Sequence, residues 1–169
     1  MNKAARVLTV GIAVAALALT GCAGNPADAA SVGSVSVRDS TVRGVADTIV
    51  EVTGTDRGVA LKQATYDLTL GEASRQIAQA TGTAVSPAQG AAVISQNQAA
   101  AAVAATEKGA PWAAAVGTTY VLLQDLGEER FIEELNKLDI NVNPRYGAWD
   151  PQRVTIVDSP LSSAATANA

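Results

Sequence analysis

The sequence predicts a mainly α-helical domain of about five helices, with short β segments at its N- and C-terminal ends that pair. Three observations carry this. Apolar residues recur at three- and four-residue spacing from about residue 42 to residue 138. Helix start and stop signals punctuate that stretch. Alternating or β-branched runs are confined to its two flanks, and pairing them is the simplest closure.

Taken in order, Val32-Gly33-Ser34-Val35-Ser36-Val37 alternates apolar and small residues and reads as an extended segment or tight hairpin. Ser36, with Asp39 three residues on, reads as a capping box opening the first helix. That helix carries Val42, Val45, Ala46, Ile49 and Val50 near one face, and Gly54 and Gly58 bracket its end. A second helix runs from about residue 59 to 81, with Leu61, Ala64 and Leu68 on one stripe and Leu70, Ala73, Ile77 and Ala80 on its continuation. Gly71 inside it costs ~1 kcal/mol relative to alanine, so a break there is compatible with the pattern. Ser86-Pro87-Ala88-Gln89 opens the next helix with N-cap, N1 proline and N3 glutamine. Residues 87–106 form an alanine-rich helix that packs closely but buries little. Gly109-Ala110-Pro111 is a break and restart. The helix over 111–126 places Trp112, Val116, Tyr120 and Leu123 on one stripe, with Val121, Leu122 and Leu126 beside it. The last helix, 128–138, points Phe131, Ile132, Leu135 and Leu138 inward and Glu128, Glu129, Glu133 and Glu134 outward as a solvated face. Those acidic residues lack the alternating loop spacing of a calcium site. Ile140-Asn141-Val142-Asn143 and Val154-Thr155-Ile156-Val157 then read as two short strands around a turn punctuated by Pro144 and Gly147.

Composition removes much chemistry. The chain has 169 residues, a length suited to one domain, and 48% hydrophobic residues, but 35 residues are alanine. Only six residues are aromatic: Tyr66, Trp112, Tyr120, Phe131, Tyr146 and Trp149. There is no histidine, which eliminates Ser-His-Asp and Cys-His nucleophilic catalysis and most zinc sites. A single cysteine excludes an intrachain disulfide and a CxxC redox site. A net charge of −4 argues against general nucleic-acid binding. GxGxxG and Walker patterns are absent, and no cofactor or metal site is expected.

The N-terminus reads as an address and an anchor. Lys3 and Arg6 precede an uncharged, mostly apolar run from Val7 to Leu19, long enough for a signal peptide and too short to span a bilayer. Leu19-Thr20-Gly21-Cys22 follows and resembles a bacterial lipobox. The Cys22 thiol can attack a diacylglyceryl donor, and small Thr20 and Gly21 admit the peptidase. Two or more acyl chains then give stable attachment. Residues 1–21 are therefore expected to be a cleaved lipoprotein signal, and 22–31 a flexible tether after lipidated Cys22. Residues 31–158 form the domain, and 159–169 are expected to be a disordered tail. Cleavage removes two positive charges and takes the net charge to −6. The expected location is extracytoplasmic, lipid-anchored to the outer face of the cell membrane.

The most unusual stretch is Asn143-Pro144-Arg145-Tyr146-Gly147-Ala148-Trp149-Asp150-Pro151. It admits a structural reading, in which proline and glycine fix a turn, the rings cover a thin core, and Arg145 pairs with a carboxylate or stacks on a ring. It also admits a binding reading, as an aromatic-walled patch for extended peptide or glycan. Trp112 and Tyr120 admit the same choice, as core or as client contacts.

The lipobox, the opening Ala-Ser-Val-Gly and Val-Ser-Val-Arg-Asp of residues 30–39 and the closing Ile-Asn-Val-Asn-Pro-Arg-Tyr-Gly-Ala-Trp-Asp-Pro of 140–151 resemble those of small actinobacterial lipoproteins with a SurA N-terminal-like domain. Gly82-Thr83-Ala84-Val85-Ser86 is similar to that family's connection between helices. The resemblance implies a helical domain of the SurA and PrsA envelope-chaperone type, holding unfolded or newly exported polypeptides. Many such chaperones also carry a parvulin prolyl-isomerase domain. This chain has neither the length for one nor a histidine for its active site, so isomerase activity is not implied. The expectation is a non-enzymatic, lipid-anchored client-binding module. The alternatives are a scaffolding partner of one envelope protein, or an enzyme acting on cell-wall glycans through paired carboxylates.

Overall fold

The structure, a computed structural model, describes residues 25–159. Cys22, the lipobox residues Leu19, Thr20 and Gly21, and the tail beyond Ser159 lie outside the described residues. The chain is mainly helical, with short antiparallel strands near both ends. In order these are β1 (Asp28–Val32), β2 (Val35–Arg38), α1 (Asp39–Thr53), α2 (Arg57–Thr81), α3 (Pro87–Ser95), α4 (Gln98–Ala104), α5 (Ala110–Leu126), α6 (Glu128–Leu135), β3 (Ile140–Val142), β4 (Ala148–Asp150) and β5 (Thr155–Val157). None of these helices is long and apolar enough to cross a membrane.

The two ends of the domain close on each other. β1 is the middle strand of a three-stranded sheet of order β2-β1-β3. Val32 pairs with Val35 across a two-residue turn on one side and with Ile140 on the other. Strand pairing therefore begins at Asp28, inside the stretch read as tether, and Ala29 and Val32 are fully buried.

The capping box expected at Ser36 is absent. Ser36 belongs to β2, and its hydroxyl donates to Asp28 at 2.9 Å instead. Pairing with β1 holds Ser36 in the strand that the alternation of Val35, Ser36 and Val37 also indicates. α1 starts after Arg38 with no side-chain cap, and Asp39 in its first turn complements the helix dipole.

α1 buries Val42, Val45, Ala46 and Ile49 as its spacing dictates, and ends at Gly54. Gly58 is not part of that ending. It lies in the first turn of α2, whose cap is Asp56, accepting from the Gly58 and Val59 amides at 2.8 and 3.2 Å.

α2 runs unbroken through Gly71. A Cβ at Gly71 would lie 2.2 Å from the Cβ of Ala115, so the missing side chain lets α5 cross α2 at close range. This contact joins two core clusters. The first half of α2 packs with α1, α4 and Trp112; its second half packs with Val32, Leu122, Phe131 and Leu135.

The capping box at Ser86 is complete: the Gln89 amide donates to the Ser86 hydroxyl, and the Ser86 amide donates to the Gln89 side chain. The alanine-rich stretch 87–106 is two helices rather than one, which raises the count among the described residues from the expected five to six. Asn97 takes an extended conformation and its side chain accepts from the Ala100 amide at 3.0 Å, capping α4. Asparagine competes with the helical backbone in this way, and alanine propensity did not override it.

The C-terminal region holds three strands rather than two. β3 joins the N-terminal sheet, and β4 pairs with β5 as a separate hairpin. Val154 is in the turn of that hairpin and not in the strand, with φ at +49°, which is strained for a β-branched residue. The Asp150 side chain accepts from the Gln152 and Arg153 amides and shapes the same turn.

Candidate functional site

The closing motif is a clasp on the N-terminal end of the domain. The Asn143 amide donates to the Ala29 carbonyl at 2.8 Å, and its side chain donates to the Asp28 carbonyl at 3.0 Å. Pro144 follows, exposed, and its carbonyl accepts from the Ser159 hydroxyl. Arg145 donates to the Pro26 carbonyl at 2.8 Å and pairs with Asp39 at 3.1 Å. Its guanidinium also sits 5.6 Å from the Tyr146 ring centroid. Tyr146 is buried, and its hydroxyl donates to the same Asp39 carboxylate. Gly147 packs its backbone against Ile156 and Val157, where a Cβ would lie 2.4 Å from the Ile156 side chain. Trp149 stacks on Tyr66, centroids 6.4 Å apart and planes at 23°. These contacts follow the structural reading of the motif.

Electrostatics inside the clasp follow from shared partners. Burial pushes the Tyr146 phenol up, and the adjacent Asp39 carboxylate adds to this, to about 12. Burial also pushes Asp39 up, but the Tyr146 hydroxyl together with Arg43 and Arg145 outweighs it, so its carboxyl lies below the ordinary value. Arg43 reaches Asp39 at 2.7 Å, so one carboxylate serves two guanidinium groups and a phenol.

Trp112 and Tyr120 part company. Trp112 is buried, and its indole N–H donates to Asp67 at 2.6 Å. Burial raises the Asp67 pKa, and the hydrogen bonds from Trp112 and Gln63 only partly offset it. Tyr120, on the outer face of α5, is 48% exposed.

Two concave surfaces stand out, and neither was evident in the sequence. The first is a groove of about 480 Å³ between α3, α4 and α5. Its walls are small: Ala91, Ala101, Ala105, Ala110 and Ala114 line it, with Ile94 beneath, and no charged residue does. It exists because Asn97 breaks the alanine-rich stretch and lets α4 turn back towards α5. The Asn97 cap is the signal that a closer sequence reading could have used.

The second is a cleft of about 680 Å³ between α1, the start of α2 and the C-terminal strands. Arg43, Arg57, Lys62 and Arg145 rim it, and Val59, Leu61, Tyr66 and Ile156 supply apolar wall. These residues are scattered from position 43 to 156, so only the closed chain assembles them. Its two lining carboxylates are engaged. Asp56 caps α2, and Asp158 pairs with Lys62. Among the described residues no group of His, Cys, Asp and Glu is placed to hold a metal ion. No protein-family model, curated protein or solved structure matches the chain.

Proposed function

We propose that this chain is a lipid-anchored cell-envelope protein that binds unfolded or newly exported polypeptides, as a SurA N-like module without isomerase activity. The observation that carries this reading is the uncharged, small-residue groove between α3, α4 and α5. Alanine walls leave room for large apolar side chains of a client, and the lack of charge gives no preference for one sequence. A thin domain retains such a surface only at some loss of stability, since burying it would release ~25 cal/mol per Å² of apolar area. The lipobox at Cys22 supplies the anchor, and the domain follows it closely, since β1 begins at Asp28.

A light-scattering assay with an aggregating client tests the reading. The protein at stoichiometric excess is expected to suppress aggregation. Ala114→Glu, on the exposed wall of the groove, is expected to abolish suppression without lowering Tm. Failure of the unaltered protein to suppress aggregation, together with no binding to a panel of unfolded peptides, overturns it.

A further inference from the structure

Cations are concentrated at one place on an acidic chain. Ten of its 12 Lys and Arg residues lie among the described residues, and Arg43, Arg57, Lys62 and Arg145 all line the cleft of about 680 Å³. Of the 16 Asp and Glu residues, two line it, Asp56 and Asp158. The four cationic side chains are 41–49% exposed, so their ion pairs are those of a surface, weak and readily exchanged for another anion. Asp39 carries one negative charge against two guanidinium groups, so the Arg43–Arg145 side of the cleft holds positive charge in excess. Asp56 is committed to the α2 amides that it caps.

The same cleft has an apolar wall. Val59 is 57% exposed, the most exposed large apolar side chain among the described residues, and Leu61 and Tyr66, half-buried, line the cleft with it. A ligand that uses both features joins an anionic group to an apolar body. An inorganic anion leaves Val59 in water, and a neutral lipid leaves the cations with their present partners. A polyanion such as nucleic acid meets the net negative charge of the whole chain. Position selects membrane lipid among amphiphilic anions. Arg145 donates to the Pro26 carbonyl at 2.8 Å, so the rim of the cleft is fastened to a point four residues after Cys22. Four residues span at most ~14 Å. This argument from position rests on the anchor reading; the pairing of cations with an apolar wall does not.

We infer that the cleft binds an anionic phospholipid of the membrane, with its phosphate among the cations and the start of an acyl chain along Val59 and Leu61. The site shares no lining residue with the α3–α5 groove and stands whether or not the groove binds clients. It fixes the orientation of the domain on the bilayer, where an anchor alone leaves the domain free to turn.

Dihexanoyl phosphatidylglycerol, kept below its micelle concentration and titrated into the isotope-labelled full chain, tests it by amide chemical shifts. The expected result is saturable binding, with shifts grouped at residues 57–66 and 145–156. Dihexanoyl phosphatidylcholine and inorganic phosphate are each expected to bind at least tenfold more weakly. Arg57→Gln combined with Lys62→Gln is expected to weaken binding at least tenfold while leaving Tm unchanged, because both ion pairs are exposed. Val59→Asp is expected to do the same, since the side chain is exposed and an acidic residue suits the first turn of a helix. Absence of binding overturns the proposal, as does undiminished binding in these variants, equal binding of phosphatidylcholine, or equal binding of inorganic phosphate. Shifts confined to the α3–α5 groove or to residues 1–21 overturn it as well. The titration does not involve Cys22, so its failure removes this site and leaves the anchor to be judged by Cys22→Ser.

Discussion

Tyr146 and Asp67 are both placed in settings that disfavour their charged forms, and each gives a pH-dependent stability of definite sign. Tyr146 has a folded pKa of about 12 against 10.0 for the free side chain. Its contribution is complete below pH 10 and is lost as pH rises through about 12, when tyrosinate would face the Asp39 carboxylate. Tyr146→Phe is expected to destabilise by ~1.5–3 kcal/mol at neutral pH, the scale of a hydrogen bond to a charged group, and to flatten the fall in Tm above pH 10. Asp39 works at the other end: its lowered pKa means that stability is present above pH ~4 and lost as pH falls through the folded value. The Asp67 shift has the opposite sign. Its contribution is full below the free-carboxyl value of 3.8 and lost as pH rises through the raised folded value. Asp67→Asn is therefore expected to raise Tm at pH 7 relative to the parent and to leave it unchanged near pH 3, with Trp112 emission reporting that the indole stays buried. The sequence indicated that Arg145 would find a carboxylate or a ring, and it finds both. It could not indicate Asp39, which lies 106 residues away and meets Arg145 only when the two ends of the domain close.

The helices were legible in the apolar stripe of α1 and in the cap at Ser86. They were misread where two local signals competed. Ser36 fitted a cap and a strand equally well by spacing, and pairing of β1 with β2 decided it. The stretch 87–106 has helical propensity throughout, so the break at Asn97 depends on one side chain's hydrogen bond to the backbone. Gly71 was legible as a weakness of α2, but its purpose was not, because that purpose is Ala115 on another helix. Gly71→Ala is expected to destabilise the protein by ~2–3 kcal/mol, at the upper end of overpacking effects because the obstruction includes backbone. A urea titration measures it. A loss below 0.5 kcal/mol would mean that the α2–α5 crossing shifts freely.

At the scale of the whole molecule, the pairing of the two ends was legible, whereas β4, its hairpin with β5 and the concave surfaces were not. Both cleft and groove are made of residues that look ordinary in sequence, alanines on one side and paired surface charges on the other. The anchor expected at Cys22 has its own check. Cys22→Ser is expected to release the protein from the membrane fraction or leave the precursor unprocessed, and unchanged processing and retention would contradict it. The closure itself governs when the domain can exist. β1 is among the first described segments to leave the ribosome, yet its neighbour β3 and the residues that clasp it follow more than a hundred residues later. Until Asn143 emerges, Ala29 and Val32 have no complete sheet to enter, and closing so long a loop is the slow part of folding such a topology. A growing chain therefore leaves this domain unfinished until residue 143 has emerged, and a machine that threads it from the N-terminus meets a strand that has not yet acquired its β3 partner.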